Sequence, residues 1–185
     1  VVTFRSAHVV DPNVLRQTLN ALTPPDMAVR EVALTTDGFD ARRHATARVY
    51  EYRLWTEPWR SAFWHRFTWH VPRALDLPAM RQAASRLAGE HDFSAFRASD
   101  CESESPVRQV FHSGFSAAEG LCVYRIEANA FLKHMVRAIV GTLVEVGAGR
   151  RRADAVADIL ASRDRRRAGR TAPPQGLVLV AVRYE

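Results

Sequence analysis

Residues 48–55, RVYEYRLW, alternate without interruption. Val49, Glu51, Arg53 and Trp55 fall on one side of an extended chain, and Tyr50, Tyr52 and Leu54 on the other. A period of two, carried by aromatic and branched residues, fits a strand and does not fit a helix. Val107–Ser116 and Leu121–Ala128 read as two further strands around the turn Ala118–Gly120. Shorter strands are expected at Phe67–Val71 and Leu177–Tyr184. Helical spacing appears between them. Asp76–Leu87 puts Leu77, Met80, Ala84 and Leu87 on one stripe. Phe131 to about Val146 reads as a long helix broken by Gly147 and Gly149, and Asp154–Ser162 as a short one. The stretch His91–Pro106 is expected to be a loop with aromatic anchors. Antiparallel strands with a few helices define an α+β fold, mainly antiparallel sheet flanked by helices.

The front of the chain has a different character. Val1–Phe4 reads as a short strand. Asp11 followed by Pro12 caps a helix through about Leu22, with Leu15, Leu19 and Leu22 on one face. Pro24–Pro25 stops it, and Met27–Leu34 alternates like a strand. Residues 1–38 therefore look like the closing part of an αβ domain, and VVTF like a strand already under way. The natural polypeptide is expected to begin earlier. The turn-rich, basic segment TTDGFDARRHATA leads into an α+β domain spanning 39–185.

With 185 residues, 47% of them apolar and 25% charged, the chain can bury a core. Its net charge of +6 and pI near 10.1 suit a polyanionic partner, nucleic acid first; a merely soluble basic protein has the same totals. No apolar run approaches the ~18 residues of a membrane span, and no leader peptide is visible. Cys101 and Cys122 suggest reduced thiols in a cytoplasmic protein and not a disulfide framework. No metal-ligand spacing occurs, and no P-loop, G-x-S-x-G elbow, G-x-G-x-x-G or H-E-x-x-H string.

Two places carry chemistry. On the wheel of the helix from Phe131, one arc is apolar. The other holds Lys133, the only lysine, with His134, Arg137, Ala138, Gly141 and Glu145. Small residues beside charges imply close approach by a strand or a substrate, since a helical glycine costs roughly 1 kcal/mol relative to alanine. Arg137 needs a carboxylate or a phosphate. A salt bridge fixing the helix on its sheet meets that need, and so does a ligand. His134 reads as a hydrogen-bonded helix residue and Lys133 as solvent-facing. The second place is the basic run Arg42, Arg43, His44 and Arg48 ahead of Tyr50 and Tyr52. Arginine beside an aromatic suits phosphate and an unstacked RNA base, and a solvated loop before a core strand has the same composition. The runs Arg150–Arg152 and Asp164–Arg170 read as solvated, with phosphate contact open to them, and the acidic stretch Asp100–Glu104 reads as exposed.

The segments FDARRHATARVYEYRLW, GEHDFSAFRASDCESESPVRQV, ANAFLKHMVRAIVGTLVEVGAGR and PPQGLVLVAVRYE, with VVTF at the start, together resemble the tRNA pseudouridine synthase A family in that family's order. The resemblance implies a pseudouridine synthase fold and a cofactor-free, metal-free conversion of uridine to pseudouridine at positions 38–40 of the tRNA anticodon stem-loop. It implies a cytoplasmic homodimer with tRNA across both subunits and no membrane contact. An aspartate attacks, the base turns, and its C5 joins the ribose. Carried over by position, Arg137 in HMVR pairs with that aspartate. The face bearing Ala138 and Gly141 is then the cleft floor. Tyr50 in RVYEY packs on the flipped base, a safer role than proton removal for a weakly acidic phenol. Leu177 packs near the base. Phe39, Asp40, Ala41, Arg42 and Arg43 match one tRNA-contacting loop, with Arg48 beside it. Asp100, Cys101, Glu102, Ser103 and Glu104 match another, although Glu102 and Glu104 are the wrong charge for phosphate. Lys133 replaces the Tyr or His common in relatives and is assigned no catalytic role. The family's nucleophile sits in an R-T-D-x-G-V-H loop, and no such string occurs in the 185 residues. The resemblance therefore implies that this chain alone is inactive. A non-catalytic RNA-binding module on the same scaffold is the alternative.

Overall fold

The structure, a computed structural model, describes residues 1–184 and resolves two compact units, Val1–His44 and Ala45 onward. In the first, α1 (Pro12–Leu22) starts as its sequence dictates: Asp11 Oδ1 accepts from the amides of Asn13 and Val14 at 2.8 and 3.1 Å. Leu15 and Leu19 are half-buried, whereas Leu22 is exposed. The strands expected at Val1–Phe4 and Met27–Leu34 are absent. Alternation makes a strand only where a ladder partner exists. Here the Val29 amide donates to Asn20 Oδ1 (2.7 Å) and the Val29 carbonyl accepts from Asn20 Nδ2 (2.9 Å), so a side chain takes the groups a neighbouring strand would need.

The second unit is a six-stranded sheet. Its strands are β1 (Ala47–Trp55), β2 (Trp69–His70), β3 (Gly89–Asp92), β4 (Val107–Ala118), β5 (Leu121–Ala128) and β6 (Leu177–Arg183). They run in the order β2-β1-β5-β4-β3. β6 lies antiparallel along Ala47–Tyr52 of β1, and β2 continues parallel beside Leu54 and Trp55. The β4–β5 hairpin closes through Glu119 and Gly120, both at positive φ (49° and 77°), as a tight two-residue turn requires.

The alternation of β1 resolves into two environments. Tyr52 and Leu54 are fully buried on the face that also carries Tyr124, Ile126 and Ala128 of β5. Glu51 and Arg53 lie on the other, where Glu51 pairs with Arg125 at 3.0 Å. Helices α2 (Leu77–Ser85), α3 (Met135–Gly147) and α4 (Ala155–Ser162) join one continuous core with the sheet's apolar face. Burying each large side chain there contributes on the order of 1.5–3 kcal/mol.

Three expectations need correction. Phe67–Val71 shrinks to the two-residue β2. The expected loop after His91 contains the end of β3, whose GEHD sequence lacks apolar alternation; it is a short edge strand held by β4 alone. The long helix begins at Met135 and not at Phe131. His134 is left-handed (φ 61°). Lys133 directs its carbonyl to Ala98 N (3.1 Å) and its amide to Cys101 Sγ (3.4 Å), so these groups face a loop instead of a helix ladder.

Candidate functional site

Arg137 sits in the first turns of α3, half-buried. Its Nε donates to the Ala172 carbonyl at 2.7 Å, and the Ala172 amide donates to the Arg137 carbonyl at 3.0 Å. One residue further, the Pro173 carbonyl accepts the Tyr52 phenol at 2.6 Å. Consecutive carbonyls of one coil segment thus anchor the guanidinium of α3 and the phenol of β1. Burial pushes the Tyr52 phenol up, against the pull of the Arg137 and Arg170 charges nearby, and keeps it a neutral donor.

The same segment covers the small face of the helix. A Cβ on Gly141 would lie 1.7 Å from the Arg170 carbonyl oxygen, and one on Gly169 would lie 2.9 Å from the Thr142 backbone. Gly169 donates to Thr142 Oγ1 at 2.8 Å. The glycine therefore signals close approach, as expected, but the approaching element is coil 168–172 and neither strand nor substrate. Ala138 is 1% exposed, so it forms no open cleft floor.

Among the described residues no carboxylate lies within ion-pair distance of Arg137. The internal salt bridge weighed from the sequence does not form. With Nε held, the two terminal nitrogens keep the planar fork that receives a carboxylate or a phosphate bidentately.

Tyr50 stands two residues before Tyr52 on the same face of β1, half-buried. Its ring meets Phe131 edge-to-face, centroids 5.0 Å apart and planes at 84°. Leu177 opens β6 directly opposite Tyr52 and packs against the core rim.

Asp100–Glu104 is laced to the turn before α3. Lys133 Nζ pairs with Asp100 at 2.5 Å, and that hydrogen bond holds the carboxyl below the usual carboxylate range. Cys101 accepts at sulfur from the Ser103 and Lys133 amides, which hold its thiol below the usual range, with Arg97 adding to the effect. Arg97 also donates to the Cys101 carbonyl, and Arg108 to Ser103 Oγ (2.7 Å). Glu102 and Glu104 are exposed. Lys133 is exposed, as read, yet ion-paired. Arg48 spends Nη1 on the carbonyls of Ala45 (2.8 Å) and Asn129 (2.7 Å).

In the first unit, Asp40 Oδ1 accepts from the amides of Arg42 (2.8 Å) and Arg43 (2.9 Å), which hold its carboxyl below the usual range. This turn leaves the Arg42 and Arg43 side chains exposed, buries Ala41 and packs Phe39 against His44 at 5.6 Å. Sequence reasoning missed Phe131, the Ala172–Pro173 carbonyls and the anchoring role of Tyr52. Tyr52 shares a face with Tyr50, and that signal alone pointed to it.

A family model described as tRNA pseudouridine synthase matches residues 83–185. The chain is similar over its whole length to the tRNA pseudouridine synthase A of Myxococcus xanthus, at 47% identity over 70% of that protein. The Syntrophotalea carbinolica protein of the same name is 45% identical over 96% of this chain and 73% of its own. The Geotalea uraniireducens one is 40% identical over the whole chain and 75% of its own.

Proposed function

The chain belongs to the tRNA pseudouridine synthase family, and on that premise we propose that it serves the isomerisation of uridine to pseudouridine at positions 38–40 of the tRNA anticodon stem-loop. One observation carries the reading: a half-buried guanidinium, fixed through Nε to Ala172, with no carboxylate of its own among the described residues. Arg137 pairs with the nucleophilic aspartate and orients it. The carboxylate bonds to C1′ as the glycosidic bond to N1 breaks, the uracil turns, C5 bonds to C1′ and expels the carboxylate, and the C5 proton leaves through a base while N1 takes up a proton. No redox change occurs, so no electron carrier is needed. Tyr50 stacks on the extruded base, steadied by Phe131, and Leu177 lines the same face of β1.

The tRNA contacts proposed are Phe39–Arg43, Arg48 and the loop Asp100–Glu104. Within that loop Lys133 already neutralises Asp100. A cytoplasmic homodimer is the assembly proposed, on family resemblance. No helix among the described residues is long and apolar enough to cross a membrane.

The test is tritium release from C5-labelled tRNA. The 185 residues hold no R-T-D-x-G-V-H string, and the polypeptide of this sequence is expected to release none. A fusion carrying a family member's R-T-D-x-G-V-H segment ahead of Val1 is expected to turn over. In that fusion Tyr50→Phe should stay within about threefold of the parent. Tyr50→Ala should lose roughly 10- to 100-fold, the worth of one base-stacking contact. A Tyr50→Phe protein as damaged as the alanine would transfer the role from ring to hydroxyl. The alternative reading is a non-catalytic RNA-binding module on the same scaffold. A fusion that binds tRNA tightly but never releases tritium would select it.

A further inference from the structure

One turn beyond Arg137, the other end of the same coil segment borders a cavity of about 250 Å³. Trp69, Arg73, Gly141, Glu145, Arg150 and Arg170 are among its walls. Arginines close by in sequence but outside its walls are ion-paired: Arg151 to Glu145 (2.5 Å), Arg152 to Asp154 (2.6 Å) and Arg166 to Asp164 (2.9 Å). Arg73, Arg150 and Arg170 differ. None of the three has an ion pair or a side-chain hydrogen bond among the described residues. Their backbones are nonetheless fixed: Arg73 N on Val71 O (2.7 Å), Arg150 N on Glu145 O (2.9 Å), and Arg170 O against Gly141. The Arg170 guanidinium lies 4.9 Å from the Trp69 ring centroid, a cation–π contact that orders a long side chain without consuming its donors. The one carboxylate in the wall, Glu145, is answered by Arg151.

Three guanidiniums border one concavity with no ion pair among the described residues, and its one carboxylate, Glu145, is held by Arg151. We propose that this cavity seats a backbone phosphate of the RNA strand that flanks the target nucleotide. Arg73 and Arg150 close on the phosphate oxygens, and Arg170 lies over Trp69. Trp69 meets Tyr52 edge-on (centroids 6.4 Å, 88°), and Gly141 is one helical turn, roughly 6 Å, from Arg137. A single strand therefore reaches both places. The proposal rests on the tRNA reading of the site for its ligand, but it requires only backbone phosphates.

The experiment measures binding of unmodified tRNA transcript and of an eight-nucleotide oligouridylate across a potassium chloride series. It compares the chain with Arg73→Gln/Arg150→Gln and with Arg86→Gln/Arg167→Gln, a charge-matched control at exposed sites outside the cavity. Each phosphate contact contributes roughly 0.7–0.9 to the slope of log K against log salt. The cavity variant is expected to lose about 0.7–0.9 from the slope with both RNAs, one phosphate's worth. It should also bind ~10- to 100-fold more weakly near 0.1 M salt, with an unchanged melting temperature and a control that barely moves. A slope loss with both RNAs but no preference for tRNA would sink the tRNA reading and keep the phosphate seat. A cavity variant no different from the control, or no RNA binding by the parent even at low salt, would overturn the seat.

Discussion

Arg137→Lys is expected to reduce turnover at least about 100-fold in the active fusion while leaving the melting temperature within a few degrees. Lysine keeps the charge but cannot do both jobs. The observed arginine uses Nε on the Ala172 carbonyl at 2.7 Å and retains two terminal nitrogens for a planar partner. A lysine ammonium is a single point donor on a flexible stem. It can satisfy the carbonyl or approach the aspartate, but it cannot hold the aspartate in one orientation. Removing one preorganised donor from a reacting group costs about 10²–10³ in kcat. The loss should fall on kcat with KM for tRNA little changed, because the phosphate contacts proposed to carry binding lie elsewhere. Arg137→Ala should fall further and lose some stability, since the Ala172 carbonyl is left without its donor. Steady-state tritium release at saturating tRNA, with thermal melts in parallel, measures all three quantities. A lysine variant within threefold of the parent would remove Arg137 from the chemistry.

The sheet was legible because its strands carry their own pattern. β5 alternates over all eight residues and β1 over two runs, and that period determines which side faces the core; β4 buries only Val110 and Phe115 and was read from its place in the hairpin. β3 escaped because an edge strand of Gly, Glu, His and Asp is specified by its neighbour's free edge, which is a tertiary property. The false strand at Met27–Leu34 is the converse. Its pattern was adequate, but Asn20 took the ladder groups of Val29. The start of α3 was misplaced for a related reason. Nothing in FLKH forbids helix, and only the distant Ala98 and Cys101 draw Lys133 out of it.

Arg137 could be singled out from the sequence because glycine and alanine flank it on a face where an ordinary helix carries long charged chains. What fills that space could not be read. The covering segment lies some thirty residues downstream, between α4 and β6, and has no periodicity. The Lys133–Asp100 pair was hidden in the same way, since loop partners separated by 33 positions leave no spacing signal.

That covering segment makes Gly141 the residue on which fold and site most depend together. Gly141→Ala is expected to destabilise the protein by about 3 kcal/mol, at the upper end of the usual cost of overpacking. Alanine gains roughly 1 kcal/mol of helix propensity over glycine, and on an open helix face the substitution would stabilise. Here the new methyl would lie 1.7 Å from the Arg170 oxygen and 2.9 Å from its carbonyl carbon. Both are backbone atoms, so no flexible side chain can turn aside. Coil 168–172 must lift from α3, which breaks the Gly169 to Thr142 bond and carries away the Ala172 carbonyl that fixes Arg137. A loss of this size lowers the melting temperature by roughly 6–12 °C for a protein of this length. The substitution should therefore lower both melting temperature and, in the fusion, turnover, although Gly141 has no side chain to take part in the isomerisation. Gly38→Ala makes the comparison: its Cβ would meet nothing within 4 Å, and only its φ of 84° is strained, so its cost should stay near 1 kcal/mol. Thermal melts of the two variants side by side measure the difference, and an unshifted Gly141→Ala melt would mean that the segment does not press on the helix as described.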